Sequence, residues 1–508
     1  MNSASPLVAS LFDERGAGAD QLALAMGTVR VTYGALKRDA VEIADWLRRA
    51  GVEEGDRVAL VLPKSVAAVE VVLGILAMGA VYVPLNPKLP PLALKQILRD
   101  LGPRLAIADD PLARALLRDA DVPGLRVAVL GPGPALGLTI VGAAEGGAPS
   151  ESSPDLAAIL YTSGSTGEPK GIMLSHTNIK SFVDWAADTF ALSSADRVAN
   201  HAPLHFDLST FDIFATLSRH GTVHLIGETT AQFPGAIRTL IDSMRLTVWY
   251  SVPTALVRLE ERHALKGVSS LRLILFAGEV FPMPALRRLM EELPAPEYVN
   301  LYGPTETNVC TYYRLPGRPA SDAEALPIGR PCEHLEVSLC DAEGVPVAQG
   351  ETGEICVTGP SVMSGYWCRP DLTRVSRLGT RAKSYRTGDY GYLRGDGLLM
   401  LTGRRDQQAK LRGHRIELLA LEAALNTHPG LREAAALVVP DERTGGRLLI
   451  YAVAREEALP LSEIRNFVGA KLAPSYQPDG IEWLQEMPRT ANGKTDRASL
   501  RMMAERSR

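Results

Sequence analysis

LAAILYTSGSTGEPKG, residues 156 to 171, sets an aliphatic run directly against a loop of small and hydroxylated residues. Leu156–Leu160 reads as a buried strand. Tyr161–Gly171 (YTSGSTGEPKG) then brings three glycines, Gly164, Gly167 and Gly171, whose backbones can adopt conformations that a β-carbon blocks. Their N–H groups, with the hydroxyls of Thr162, Ser163, Ser165 and Thr166, can surround phosphate oxygens, and Lys170 adds a positive charge. It is not a Walker loop: it has no Gly-Lys-Ser/Thr triplet, and Pro169 precedes the lysine.

Outward from this loop, short aliphatic runs alternate with helical stretches. Arg57–Leu62, Val81–Val83, Thr222–Ile226, Thr247–Val252 and Leu271–Ala277 read as strands, and Lys64–Met78 as a helix. Such alternation predicts an α/β fold of mostly parallel sheets flanked by helices. Past Pro327 turn residues become dense, and short strands such as Val337–Leu339 and Glu354–Val357 suggest a small β-rich antiparallel subdomain over 327–403. A helix over Glu417–Asn426 opens a last hundred residues that read as a small α+β domain. The 508 residues therefore divide into a core over 1–403 and a C-terminal domain over 408–508.

Composition narrows the function classes. Apolar residues are 46% and charged residues 22%, which fits an ordered soluble chain. The net charge of −4 gives no global electrostatic reason to bind nucleic acid or an anionic membrane. The longest apolar run, Val71–Leu85, is too short to span a bilayer. Five cysteines without C-x-x-C spacing argue against a disulfide framework or a zinc site, and a cytoplasmic setting is expected.

The phosphate loop and six further motifs together resemble the adenylate-forming superfamily of acyl-CoA synthetases, luciferases and nonribosomal peptide synthetase adenylation domains. The others are Met78–Pro90 (MGAVYVPLNPKLP), His205–Phe214 (HFDLSTFDIF), Asn300–Thr307 (NLYGPTET), Tyr385–Gly391 (YRTGDYG) and Gly403–Glu417 (GRRDQQAKLRGHRIE), with Pro488–Arg497 (PRTANGKTDR) closing the set. The resemblance covers nearly the whole chain. It implies a two-step reaction: a carboxylate attacks the α-phosphorus of ATP and releases pyrophosphate, then a thiol attacks the acyl adenylate and releases AMP.

The resemblance also implies roles. Glu306 corresponds to the family's Mg²⁺-associated glutamate, Thr305 to a phosphate contact, Tyr302 to the ring stacked on adenine and Asn300 to an adenine contact. Asp389 would accept from the ribose hydroxyls, and Arg404 would approach the ribose or phosphate. Lys494 resembles the lysine that reaches the reacting carboxylate and α-phosphate. Asp406, within a linker over 404–407, matches the hinge about which a mobile C-terminal domain swings between half-reactions. Gly413 matches the glycine lining the tunnel for a pantetheine arm. By local composition alone, Asp389 also suits a turn and Asp406 a solvated linker.

Substrate clues lie in His205-Phe206-Asp207. In amino-acid-activating members an aspartate at the Asp207 position pairs with the α-ammonium, although Asp207 also suits a helix N-terminus. The corresponding pocket positions are Asp207, Leu208, Phe211, Tyr250, Leu275, Ala277, Leu301, Val309 and Cys310. Physically they describe a small apolar pocket with one acid. The string resembles free-standing enzymes that load L-proline onto a carrier protein in pyrrole natural-product pathways. No carrier or condensation motif follows Arg497, so a carrier protein supplied in trans is expected. The alternatives are a ligase for D-alanine or another small amino acid, and an acyl-CoA synthetase.

Overall fold

A computed structural model describes residues 6–11, 18–117, 125–131, 137–143, 155–163, 169–321, 326–404, 408–441, 444–488 and 495–506. Two large sheets carry the N-terminal part. At the centre of the eight-stranded sheet, Leu156–Ser163, Val81–Pro84, Arg57–Val61, Leu105–Ala108 and Arg126–Gly131 lie side by side in parallel. Antiparallel strands Pro169–Ser175 and Gly365–Tyr366 close one edge, and Gly137–Ala143 the other. The nine-stranded sheet is parallel through Glu297–Tyr302, Leu273–Ala277, Val248–Ser251, Arg197–Asn200, Thr222–Leu225 and Leu22–Met26.

These strands are mostly apolar because both faces are covered. Leu273 and Leu275 join the cluster between the two sheets, while Ile274 and Phe276 pack into a second cluster on the outer face. Helices Val66–Met78 and His176–Thr189 fill the space between the sheets. Each large aliphatic side chain buried there stabilises the fold by about 1.5–3 kcal/mol. Ser65 caps the first helix by accepting from the Ala68 N–H, so Lys64 and Ser65 stand before the helix rather than inside it. Gly79, at φ 84°, ends it.

The phosphate loop differs from its sequence reading in one respect. Strand pairing runs on to Ser163 and resumes at Pro169, with Thr162 opposite Lys170. The motif is thus the tip of an antiparallel hairpin, because Tyr161–Ser163 find partners in Pro169–Gly171. Residues 164–168 lie outside the described residues.

The segment 327–403 builds a four-stranded antiparallel sheet from Glu336–Cys340, Gly353–Thr358, Ser384–Leu393 and Leu399–Arg404. It also lends Arg330–Pro331 to the nine-stranded sheet and Gly365–Tyr366 to the eight-stranded one, so it is woven into the core. Arg404 ends the strand opposite Asp389, which makes it part of this sheet rather than of the linker.

The C-terminal part opens with a hairpin, Gln408–Leu411 with His414–Glu417. A three-stranded sheet follows, made of Leu431–Val439, Arg447–Ala454 and Gly480–Trp483. Its two faces bury different partners. Ala434 and Ala436 face the hairpin residues Leu411 and Ile416, whereas Ala435, Leu437 and Val439 face Met487 and Leu500. Among the described residues no helix is long and apolar enough to cross a membrane.

One buried acid gives this fold a pH signature. Glu70, on the helix between the sheets, hydrogen-bonds Asp39 on helix Tyr33–Arg49. Burial, then the Asp39 charge and that bond, push the Glu70 carboxyl up to about 7 from an ordinary 4.5. A raised carboxyl costs stability once it ionises: nothing below the unfolded pKa, and the full amount above the folded one. Glu70→Gln keeps a donor and has no proton to lose. It should melt higher than the parent at about pH 8, with the gap closing as pH falls from 7 to 4.5; thermal melts across this range would expose a pH-independent difference as a failure.

Candidate active site

Parallel strands bring their carboxyl ends to one edge, where loops can converge on a ligand. A cavity of about 280 Å³ opens there. Tyr250 comes from the end of Val248–Ser251, Ala277 from the end of Leu273–Ala277, and Gly303–Thr305 from the turn after Glu297–Tyr302. Of the nine pocket residues named from sequence, Asp207, Leu208, Tyr250, Ala277 and Val309 line this cavity. Phe211, Leu275, Leu301 and Cys310 are buried behind its wall, with the Phe211 ring edge-on to Tyr250 at 5.5 Å.

Asp207 is the single acid among the described lining residues. It precedes the short helix Leu208–Thr210 without a side-chain capping bond, so its carboxylate is not spent on that helix. A π-turn over Phe211–Ala215 follows, a feature often found at functional sites. Burial first, then the charges of Asp207 and Asp212, hold the Tyr250 phenol well above its ordinary range. The loop that delivers Asp207 hangs from Lys64. Its Nζ donates to the carbonyls of Asn200, His201 and Ala202 at 2.8, 2.9 and 3.1 Å. Burial lowers the Lys64 pKa to about 8, against the opposing charges of Asp212 and Glu228. Sequence reading missed Lys64; its signal was a lone lysine at the end of an apolar strand.

On the opposite wall Thr162 turns toward the cavity, and its buried hydroxyl has no partner among the described residues. Below it Lys170 Nζ and the Tyr366 hydroxyl both donate to Glu306 Oε1, at 3.2 and 2.8 Å. The Lys170 ammonium also sits 4.6 Å from the Tyr366 ring centre. Glu306 is completely buried. The turn that carries it depends on Gly303, since a β-carbon there would lie 1.8 Å from the Asn308 carbonyl oxygen. Thr305 lines the cavity beside it. The Tyr302 hydroxyl donates to Asp389 Oδ2 at 2.6 Å, and Asn300 donates to the Pro327 carbonyl at 2.8 Å. Asn300, Tyr302 and Asp389 are buried and do not line the cavity. Gly164, Ser165, Thr166, Gly167, Asp406 and Lys494, with the side chains of Ser163 and Arg404, lie outside the described residues.

The C-terminal part completes the enclosure through Gly413, His414, Lys471 and Tyr476. A second cavity of about 590 Å³ runs between the two parts and meets the first at His205 and His414. Burial, reinforced by His414, Lys64 and Lys88, lowers the His205 pKa to about 3. Burial and Arg412 lower that of His414 to about 4. Both imidazoles are therefore neutral at neutral pH, and the charges beside the junction are those of Lys64, Lys88 and Arg412.

Comparison with known proteins fits this geometry. Residues 12–367 match the family described as AMP-binding enzyme, and residues 420–494 match the AMP-binding enzyme C-terminal domain. An L-proline--[L-prolyl-carrier protein] ligase of Streptomyces coelicolor is 38% identical, over 98% of this chain and 96% of its own. A protein of the same name from Pseudomonas fluorescens is 36% identical over 94% of each chain. Among solved structures, the amide bond synthetase McbA from Marinactinospora thermotolerans aligns with a TM-score of 0.85 and 27% identity, over 98% of this chain and 99% of that one. With matches over both parts of the chain, and near full-length relatives above 30% identity, the chain belongs to the AMP-binding enzyme family, within the adenylate-forming superfamily that its motifs resemble.

Proposed function

We propose that this ATP-dependent ligase activates L-proline to prolyl-AMP and then loads it onto the phosphopantetheine thiol of a separate carrier protein. The observation that carries the reading is the small cavity with one acid, Asp207, set among apolar walls. Proline's ring nitrogen is a secondary ammonium with two N–H donors for that carboxylate. Its three ring methylenes fit against Leu208, Tyr250 and Val309, each methylene contributing about 0.8 kcal/mol. Glycine lacks these groups and alanine supplies one carbon. Two relatives at 36% and 38% identity are named for this activity, which supports it over D-alanine or free coenzyme A.

In the first step a proline carboxylate oxygen bonds to the α-phosphorus as the bond to the β-phosphate oxygen breaks and pyrophosphate leaves. Negative charge gathers on phosphoryl oxygens, which cations and oriented donors stabilise. Thr162, Thr305, Lys170 and Lys494 are the groups we assign to that charge, with Asn300, Tyr302, Asp389 and Arg404 on the nucleoside. The orphaned Thr162 hydroxyl supports the phosphate assignment. Glu306 is the carboxylate we assign to Mg²⁺, a single acid oriented by Lys170 and Tyr366 beside the Thr305 turn. An ion that keeps most of its ligands as water and phosphate needs no more. Bound there, Mg²⁺ would neutralise phosphate charge. In the second step the thiol sulfur bonds to the acyl carbon, its proton passes to solvent, and the bond to AMP breaks.

The two steps use different faces of the C-terminal domain. Gly413 and His414 face the cavity here, on the side of the sheet that packs Leu411 and Ile416. Met487 and Leu500, which flank the Lys494 segment, pack on the other side. A turn of the domain about 405–407, with Asp406 as pivot, would exchange them.

Amino-acid-dependent ATP–pyrophosphate exchange tests the substrate: L-proline should exceed every other common amino acid, and a stronger response to D-alanine would overturn it. Asp207→Ala should lower proline-dependent exchange by a hundredfold or more, since leaving a buried charge unpaired costs about 3–5 kcal/mol. Lys494→Ala should nearly abolish adenylate formation yet spare thiol transfer from supplied prolyl-AMP. Equal loss in both steps would remove Lys494 from its role.

A further inference from the structure

Glu279 stands in the loop after strand Leu273–Ala277, and its carboxylate joins the two parts of the chain. Oε2 accepts from the Thr254 N–H at 3.0 Å and from the Thr254 hydroxyl at 2.6 Å, at the first turn of helix Pro253–Glu260. Oε1 accepts from the backbone N–H of Gly413, at the tip of the C-terminal domain's hairpin. One oxygen therefore serves each part.

The contact is shaped as well as charged. Gly413 has φ 77°, and a β-carbon on it would lie 2.5 Å from Val252 Cγ1. The turn seats in a notch made by Val252, Thr254 and Glu279 because glycine leaves room. Beside it, the His414 ring meets Phe206 edge-on at 5.1 Å. The turn is in turn tied to its own domain: Arg412 pairs with Asp479, whose other oxygen accepts from the Leu448 N–H at 2.8 Å. Force on the tip is thus carried into the three-stranded sheet.

We infer that Glu279 is a positioning residue that latches the C-terminal domain in the orientation used for thiol transfer. This rests on the two-orientation reading above. Glu279 does not line the substrate cavity; Gly413, which it holds, and the neighbouring His414 do. A charge-assisted hydrogen bond can bias such an equilibrium and still break in each cycle. Both oxygens must accept, so the ionised carboxylate is required; glutamine offers one acceptor and places a donor against a donor.

The test uses the full chain. Glu279→Ala should keep proline-dependent ATP–pyrophosphate exchange within about twofold of the parent. It should slow carrier loading from preformed prolyl-AMP at least about tenfold, with Glu279→Gln in between. Domain orientation is read separately, from the distance between spin labels on exposed Ser194 and Glu457, each replaced by cysteine. Cys368 is the exposed native cysteine and is replaced by serine; the other four are buried. In Glu279→Ala the parent's main distance population should shrink. Equal loss of exchange and loading, unchanged loading, or an unchanged distance distribution would each overturn the latch. Failure of the proline reading shows up differently, as a parent enzyme that does not exchange with proline; the distance measurement needs no amino acid and still judges Glu279.

Discussion

Parallel pairing is the constraint from which the site follows. Strands that run the same way must end at the same edge, and their crossovers need helices on both faces. The nine-stranded sheet therefore presents Tyr250, Ala277 and the Gly303–Thr305 turn along one rim, three groups separated by about 25 residues at each step of sequence. The eight-stranded sheet adds Leu160–Thr162 and Pro84–Leu85 from the facing side. The chemistry sits where the backbone order delivers it, and the helices between the sheets keep that rim rigid.

Charge is sorted along the same rim. Asp207 stands on one wall among apolar side chains, while Glu306 lies buried against Lys170 and Tyr366 on the other. Buried carboxylates are tolerated when a cation or donors meet them. Glu306 is matched within the protein by Lys170 and Tyr366, and the half-buried Asp207 lies on the cavity wall. Neutral His205 and His414 mark the junction with the second cavity, whose lining carries Lys64, Lys88, Arg258 and Arg412 against Glu228 and Glu261.

Much of this was legible in the sequence, for physical reasons. Continuous aliphatic runs such as Leu273–Phe276 fit strands covered on both sides, and Leu273 and Leu275 do pack on one face while Ile274 and Phe276 pack on the other. What escaped depends on distant partners. Leu22–Met26 pairs with Thr222–Leu225 across some two hundred residues, and nothing local announces it. The hairpin beyond Leu160 needed Pro169–Gly171 as partner before Tyr161–Ser163 became strand. Phe211, Leu275, Leu301 and Cys310 read as wall but lie behind it, because depth is set by packing and not by alternation. Tyr366 and Glu279 matter through contacts with Glu306 and Gly413, more than a hundred residues away in one case and 60 in the other.

The anchor of the Asp207 loop bears on how such an enzyme can change over time. Lys64 holds three consecutive carbonyls, groups that every amino acid possesses. Asn200 adds its own side chain to this frame, donating to the Ala202 carbonyl at 3.3 Å and to Asp212 Oδ2 at 2.9 Å. Residues on the wall, such as Leu208 and Val309, are free of that duty. In the proposed reading, the frame behind Asp207 and the wall that would meet the substrate's side chain are thus separate sets of residues. Selection can retune the pocket one wall residue at a time while the frame that presents the carboxylate stays in place.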